Sequence, residues 1–205
     1  MPDEKATKQR LIECARHEFL EKSYLKASLR SICKKAGVTT GALYFFFQNK
    51  EDLFSAVVDG TLGGLMEIMQ SHIAMETDTD AEAAQGGDAS MDILCAKEIV
   101  HYLYQHYDIV LLLLTKSQGS VYETITDRIS DIFEQHYDRL SAQIAAKSGV
   151  PKPDRYILHW MSHMQTDAFV HLITCVKEEE KALKYIEQIV AFMVAGWAET
   201  FVRKK

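Results

Sequence analysis

"AGVTTGALYFFFQNKEDLF", residues 36–54, is the stretch on which the fold turns. Gly37 can take the left-handed backbone that ends a helix, and Thr39, two positions on, can cap the next one. A helix hides only part of its circumference, so the run Tyr44, Phe45, Phe46, Phe47 has to divide between core and surface. At about 100° per residue, Leu43 and Phe47 share a face that can reach Ile32 and Phe19, while Thr40, Gly41 and Tyr44 lie on another. Leu43 and Phe47 are expected in the core, leaving Tyr44 and Phe45 to face a partner.

Upstream, Ser28 can cap a short helix whose apolar face is Leu29, Ile32 and Ala36. Two short helices separated by "AGV" form a helix-turn-helix, in which the second helix enters the DNA major groove. Residues 7 to about 22 precede them as an amphipathic helix with Leu11, Ile12, Ala15 and Phe19 at helical spacing. Downstream, the third helix is expected to end near Gln48, with Asn49 starting a fourth over 50–74. The stretch 75–90, "METDTDAEAAQGGDAS", has five acids, no bases and a Gly-Gly pair, and reads as a mobile loop. Helices resume over 91–106, 108–115 and 120–147, break at "SGVPKPD", and end with 154–176 and 180–202. The expected fold is all-α, about nine helices: a three-helix helix-turn-helix domain over 1–50 and a helical domain over 51–205.

Charge supports this division. The chain carries −6 overall, but residues 1–50 hold ten Lys or Arg against five Asp or Glu, a surplus of five positive charges on an otherwise acidic body. A basic module on an acidic remainder suggests a nucleic-acid reader, and charge alone equally admits a basic surface patch with no partner. The longest apolar run, 109–114, is far short of the roughly 20 residues needed to cross a bilayer, and the N-terminus has no hydrophobic signal core, so the expectation is a cytoplasmic protein with no membrane partner. Cys14, Cys33, Cys95 and Cys175 form no CxxC pair and sit among apolar neighbours, which reads as reduced and structural. In the last helix Leu183, Ile186, Ile189, Met193, Gly196 and Thr200 recur at steps of three and four, with Val190, Trp197 and Phe201 widening the stripe. Small residues at 195, 196 and 198 would let another helix approach, so this helix is either buried in one subunit or pairs with a second copy.

Arg10, Ile12, Ala15, Phe19, Tyr24, Ser28, Leu29, Ile32, Ala36, Gly37, Val38, Gly41, Leu43, Tyr44, Phe47, Asn49, Lys50 and Leu53 together resemble the N-terminal domain of TetR-family transcriptional regulators. "YDIVLLLLTKSQGSVYE" (107–123) and "IEQIVAFMVAGW" (186–197) are similar to the regulatory halves of some members. The resemblance implies a homodimeric repressor, paired through its last two helices, that binds a palindromic double-stranded DNA operator and is released by a small-molecule effector. It implies that Thr39, Thr40, Gly41, Ala42, Tyr44 and Phe45 face the duplex. Their chemistry agrees, since Thr hydroxyls bond phosphate or base edges and Thr and Ala methyls can touch the thymine methyl. With no Arg or Asn on this helix for bidentate base contacts, shape readout is expected to take a larger share. Arg30 is the candidate for a base-reading or phosphate-binding charge; Lys50, at a helix start, is the candidate to hold a phosphate. Lys5, Lys8, Lys26, Lys34 and Lys35 add field. The family often has Gly where Ser23 stands, Thr where Ala27 stands and His where Phe46 stands. At 23 a strained turn follows, at 27 the capping duty passes to Ser28, and at 46 one phosphate contact is lost or replaced by packing.

For the effector, the bulky and partly polar residues Tyr102, His106, Tyr122, Trp160, His163, Met164 and Asp167 are the candidates, each also readable as an ordinary packed residue. Six histidines between 101 and 171 raise a rival, a metal-binding helical bundle. His159 and His163 are a turn apart with Asp167 beyond, and Glu98 with His101 makes an ExxH pair. A di-metal enzyme needs a second such pair, and the sequence has none. No GxSxG, GxxxxGK or other cofactor signature is present, so neither a catalytic residue nor a cofactor is expected. An interaction protein without DNA binding is the remaining alternative, opposed by the retained Tyr44 and Lys50.

Overall fold

The structure is a computed structural model that describes residues 4–75 and 89–202, apart from the side chains of residues 75, 148, 201 and 202. Nine helices and no strand occur among the described residues. They are α1 (Glu4–Lys26), α2 (Leu29–Ala36), α3 (Thr40–Phe46), α4 (Lys50–Met75), α5 (Ser90–Gln105), α6 (Tyr107–Lys116), α7 (Ile125–Ser148), α8 (Arg155–Cys175) and α9 (Glu179–Val202). The acidic stretch expected as a loop lies outside the described residues except at its ends.

Side-chain caps set the boundaries. Ser28 Oγ accepts from the Ser31 amide at 3.4 Å, and Thr39 Oγ1 from the Ala42 amide at 3.2 Å. Asn49 Oδ1 accepts from the Asp52 amide at 2.9 Å, while Asp52 takes the Gln48 amide at 2.9 Å, a reciprocal cap at the start of α4. Gly37 closes α2 in the left-handed region (φ 67°), its amide returning to the Cys33 and Lys34 carbonyls. α3 stops at Phe46, earlier than Gln48, because Phe47 is already extended (φ −136°, ψ 127°).

Two compact units divide the chain, the first comprising residues 1–64 and 106–125, the second 65–105 and 126–205. In the first, α1 packs on α2 and α6, and α2 on α3. Leu11, Ala15, Phe19, Ile32, Leu43, Phe47, Leu53 and Phe54 are among its buried side chains. Phe19 and Tyr24 both meet Phe54, at 4.9 and 5.0 Å between ring centroids. α1 is longer than the expected 7–22 because it continues beyond a break at Ser23 (φ 66°, ψ 165°). That is a region that only glycine enters without strain, so the missing glycine leaves the turn geometry intact and the cost on the serine. The carbonyls on either side of the break are held by lysines from elsewhere: Lys116 donates to Leu20 O, and Lys50 to Leu25 O at 3.1 Å.

Residues 117–124 are turns where the hydrophobic pattern suggests helix from 120. Ser117 and Ser120 bond locally (Ser117 Oγ to Leu113 O at 2.6 Å, Ser120 Oγ to Ser117 O at 2.6 Å), and Gly119 sits at φ 84° against the Leu25 side chain. Such local bonds compete with helix formation, which explains the delayed start of α7.

In the second unit, Ala96 and Val100 of α5, Leu172 of α8 and Ala182, Ile186, Val190 and Val194 of α9 form one apolar cluster. Tyr137 of α7, Leu158 and Met161 of α8 and Trp197 of α9 form another. Trp197 stands edge-on to Tyr137, 4.2 Å between ring centroids, and α9 packs on α8. α9 thus buries Ile186, Val190 and Met193 of the expected stripe, whereas Gly196 and Thr200 are exposed, as are Tyr185 and Phe192.

Candidate nucleic-acid interface

α3 divides its aromatic run as its periodicity dictates. Leu43 and Phe47 are buried at 0% and 2% exposure, whereas Tyr44 and Phe45 are 55% and 71% exposed. Phe46 is half-buried between its neighbours, edge-on to Phe45 at 4.9 Å between centroids. Thr39, Thr40 and Gly41 are exposed and Ala42 is half-buried. The surface α3 offers is therefore two hydroxyls, small apolar groups, a phenol and an aromatic ring, with no charge.

Charge comes from α2 and α1. Among the described residues, Lys26, Arg30 and Lys34 are exposed cations without an ion-pair partner. Lys35 differs from expectation, because its ammonium is shared by Glu18 at 2.8 Å and Glu21 at 3.3 Å. Glu18, with 0% exposure, also accepts from Lys22 (2.9 Å), the Ser31 hydroxyl (2.8 Å) and the Ser28 amide (3.5 Å). Burial alone would push its carboxyl up; the bonds from Lys35, Lys22, Ser31 and Ser28 outweigh that and hold it down at about 2. Glu18 therefore fixes α2 on α1, a role that an acid inside an amphipathic helix does not advertise beyond its i, i+4 spacing to Lys22.

Lys50 is half-buried, donating to Leu25 O with its ammonium 4.7 Å from the centre of the Tyr24 ring. Burial holds it below the usual lysine range. Tyr24 in turn donates to Glu51 Oε2 at 2.7 Å, its phenol pushed up to about 12 by burial and by that carboxylate. Glu51 Oε1 accepts from the Val121 amide at 3.2 Å, and the Tyr122 hydroxyl donates to Asp59 Oδ1 at 2.5 Å with Ser55 Oγ 2.8 Å away. One face of α4 thus grips both the end of α1 and the 121–122 turn within the first unit.

The seven effector candidates are divided between the two units. His106 and Tyr122 belong to the first unit, Tyr122 being buried there; Tyr102, Trp160, His163, Met164 and Asp167 belong to the second. There Tyr102, His163 and Met164 are half-buried, Trp160 is 53% exposed and Asp167 is exposed. Of the metal pairs, His159 and His163 stay together with ring centroids 4.5 Å apart, His159 Nδ1 lying 2.8 Å from Glu134, whereas Glu98 pairs with His72 and His101 with Glu179. Among the described residues no three metal-ligating side chains gather as a site. Cys33 is buried, but Cys175 is exposed, contrary to the apolar setting expected for it.

These features define a helix-turn-helix module of the DNA-reading type, carried on a helical body. The profile of the tetR family of bacterial regulatory proteins matches residues 11–57, so the chain is similar to that family over this domain. A relative from Pseudomonas putida, the HTH-type transcriptional regulator TtgR, is 24% identical over 144 residues, 70% of this chain and 62% of its own length. The chain thus matches less than two thirds of that relative. The fold is shared with a TetR-family regulator of Syntrophomonas wolfei (TM-score 0.63, 17% identity, 95% of this chain and 97% of that one). It is shared also with the Bacillus subtilis regulator FadR in complex with stearoyl-CoA (TM-score 0.62, 16% identity, 92% and 98%). No helix among the described residues is long and apolar enough to cross a membrane.

Proposed function

We propose that this protein is a homodimeric transcriptional repressor that reads a palindromic DNA operator through α3 and is released from it by a small molecule. The observation that carries the proposal is the exposed face of α3, with Tyr44 and Phe45 left outside a well-packed three-helix core. In this reading Thr39 and Thr40 bond phosphate or base edges, Gly41 admits close backbone approach, and Ala42 and Phe45 meet thymine methyls and sugar. Tyr44 gives its hydroxyl to a phosphate, Arg30 reaches phosphate or a base edge, and Lys50 adds a phosphate contact with the donors Leu25 does not use. The DNA-reading domain is taken as 1–50 and the effector-binding and dimerising domain as 51–205, with no cofactor and a cytoplasmic site of action.

Dimerisation through α8 and α9 is supported by the large apolar side chains they leave outside: Tyr156, Ile157 and Trp160 on α8, Tyr185 and Phe192 on α9. A surface patch of this kind marks an interface, and a two-fold dimer is what reading of two half-sites requires. The effector is assigned to the second unit, with Tyr102, His163 and Met164 as its inner contacts. An acyl-CoA, the ligand class in the Bacillus subtilis relative's structure, is the first compound to try.

The test is substitution on α3. Tyr44→Ala removes an exposed side chain, so the helical signal and the dimer mass are expected to stay unchanged while affinity for the operator falls at least tenfold. Unchanged affinity in a titration would remove α3 as the recognition helix.

A further inference from the structure

The second unit brings a thiol, an imidazole and a carboxylate into line away from the nucleic-acid interface. His72 of α4 has Nδ1 2.9 Å from Cys95 Sγ and Nε2 3.0 Å from Glu98 Oε2. Cys95 and Glu98 are three residues apart on α5, hence on one face of it. His72 is 19% exposed, Glu98 56%, and Cys95 half-buried, so the group is reachable from solvent on the carboxylate side. Nε2 itself is buried and makes no hydrogen bond of good geometry, which leaves the Glu98 charge beside it as its electrostatic partner.

We propose that Cys95 is a nucleophilic thiol, activated by His72 and Glu98, that takes small Michael acceptors as covalent ligands. A nucleophile beside a base that a third group orients is the arrangement that activates a side chain. Glu98 favours the imidazole tautomer with its proton on Nε2, which turns the Nδ1 lone pair toward the Cys95 sulfur. In the step, the Sγ–H proton passes to Nδ1, sulfur bonds the β-carbon of an α,β-unsaturated carbonyl, and the carbon–carbon π bond breaks to an enolate. The enolate carbon takes the proton back from Nδ1. The net change is addition of S–H across the double bond, with no oxidant and no leaving group.

The other cysteines lack this setting. Cys33 is buried and its thiol is pushed up by that burial. Cys175 is exposed with His171 Nδ1 at 3.6 Å, but among the described residues His171 has no carboxylate behind it. Turnover chemistry is also disfavoured at Cys95. It lies inside α5, where backbone amides are spent on the helix and none is available as an oxyanion hole for acyl transfer. A stoichiometric adduct needs only a thiolate and a proton donor. This site is independent of the DNA-reading function proposed above.

The experiment is timed labelling of the full-length protein with limiting N-ethylmaleimide at neutral pH, each cysteine quantified by peptide mass spectrometry and compared with the same residue in the urea-unfolded chain. Cys95 is expected to react at least about tenfold faster folded than unfolded, the scale of general-base assistance at its low end. His72→Gln should erase that acceleration and Glu98→Gln, at an exposed side chain, should reduce it several-fold, with Cys175 labelling and the helical signal unchanged in both. Folded Cys95 reacting no faster than unfolded Cys95, or both variants labelling as fast as the parent, would overturn the proposal.

Discussion

Replacing Ser23 with glycine should stabilise the protein, although most substitutions destabilise. Ser23 interrupts α1 at φ 66°, ψ 165°, and it is the one non-glycine residue with positive φ among the described residues. Holding a side-chain-bearing residue in this glycine region costs about 1–3 kcal/mol, while glycine adds about 0.4–1 kcal/mol of unfolded-chain entropy. No side-chain hydrogen bond of Ser23 is lost among the described residues. The net gain is about 0.5–2 kcal/mol, and for a chain of this size each kcal/mol raises the melting midpoint by about 2–4 °C. Thermal melts of parent, Ser23→Gly and Ser23→Ala, followed by helical circular dichroism, distinguish strain from chemistry. Alanine keeps the Cβ and should gain nothing. A glycine variant that melts at or below the parent, or an alanine variant that gains as much, would refute the strain.

Three further outcomes follow from the same unit. Glu18 has a folded-state value of about 2 against an ordinary 4.5, so its contribution is complete above pH 4.5 and is lost as pH falls from there toward 2. Its full size is about 3 kcal/mol, reduced by screening at the half-exposed Lys22 and Lys35; urea titrations at pH 7 and pH 3 should show the loss, and Glu18→Gln should flatten it. Gly119→Ala places a Cβ 2.4 Å from Leu25 Cδ2 at φ 84°; the leucine can move but the backbone cannot, so a loss of about 1–2 kcal/mol is expected in the same titrations. Lys34→Ala, at an exposed and unpaired cation, should lower DNA affinity evenly across sequences and reduce the slope of log K against log salt by about one per subunit, checked by anisotropy titrations at several salt concentrations.

The helix-turn-helix was legible because every level agreed there. Caps at Ser28, Thr39 and Asn49, a glycine at the turn and a 3.6-residue apolar period all point to the same boundaries, and the exposure of Tyr44 and Phe45 follows from the period alone. What stayed hidden was long-range. Glu18 reads as a surface acid, yet two lysines and the start of α2 converge on it. Tyr122 reads as a cavity residue, yet Ser55 and Asp59 claim its hydroxyl. The turn at 117–124 was missed because its serines bond locally, and the association of 106–125 with the first unit has no signature in a one-dimensional pattern. The Cys95 group was equally invisible, since His72 stands on another helix and no spacing in the sequence ties it to Cys95 and Glu98.

Reading of DNA by this chain as a two-fold dimer can be checked by selection of bound duplexes from a random pool by the purified protein at near-physiological salt. Enrichment of an inverted repeat is expected, and its loss for Tyr44→Ala. Recovery of no motif by protein shown to be folded, or of a single unrepeated half-site, would contradict it.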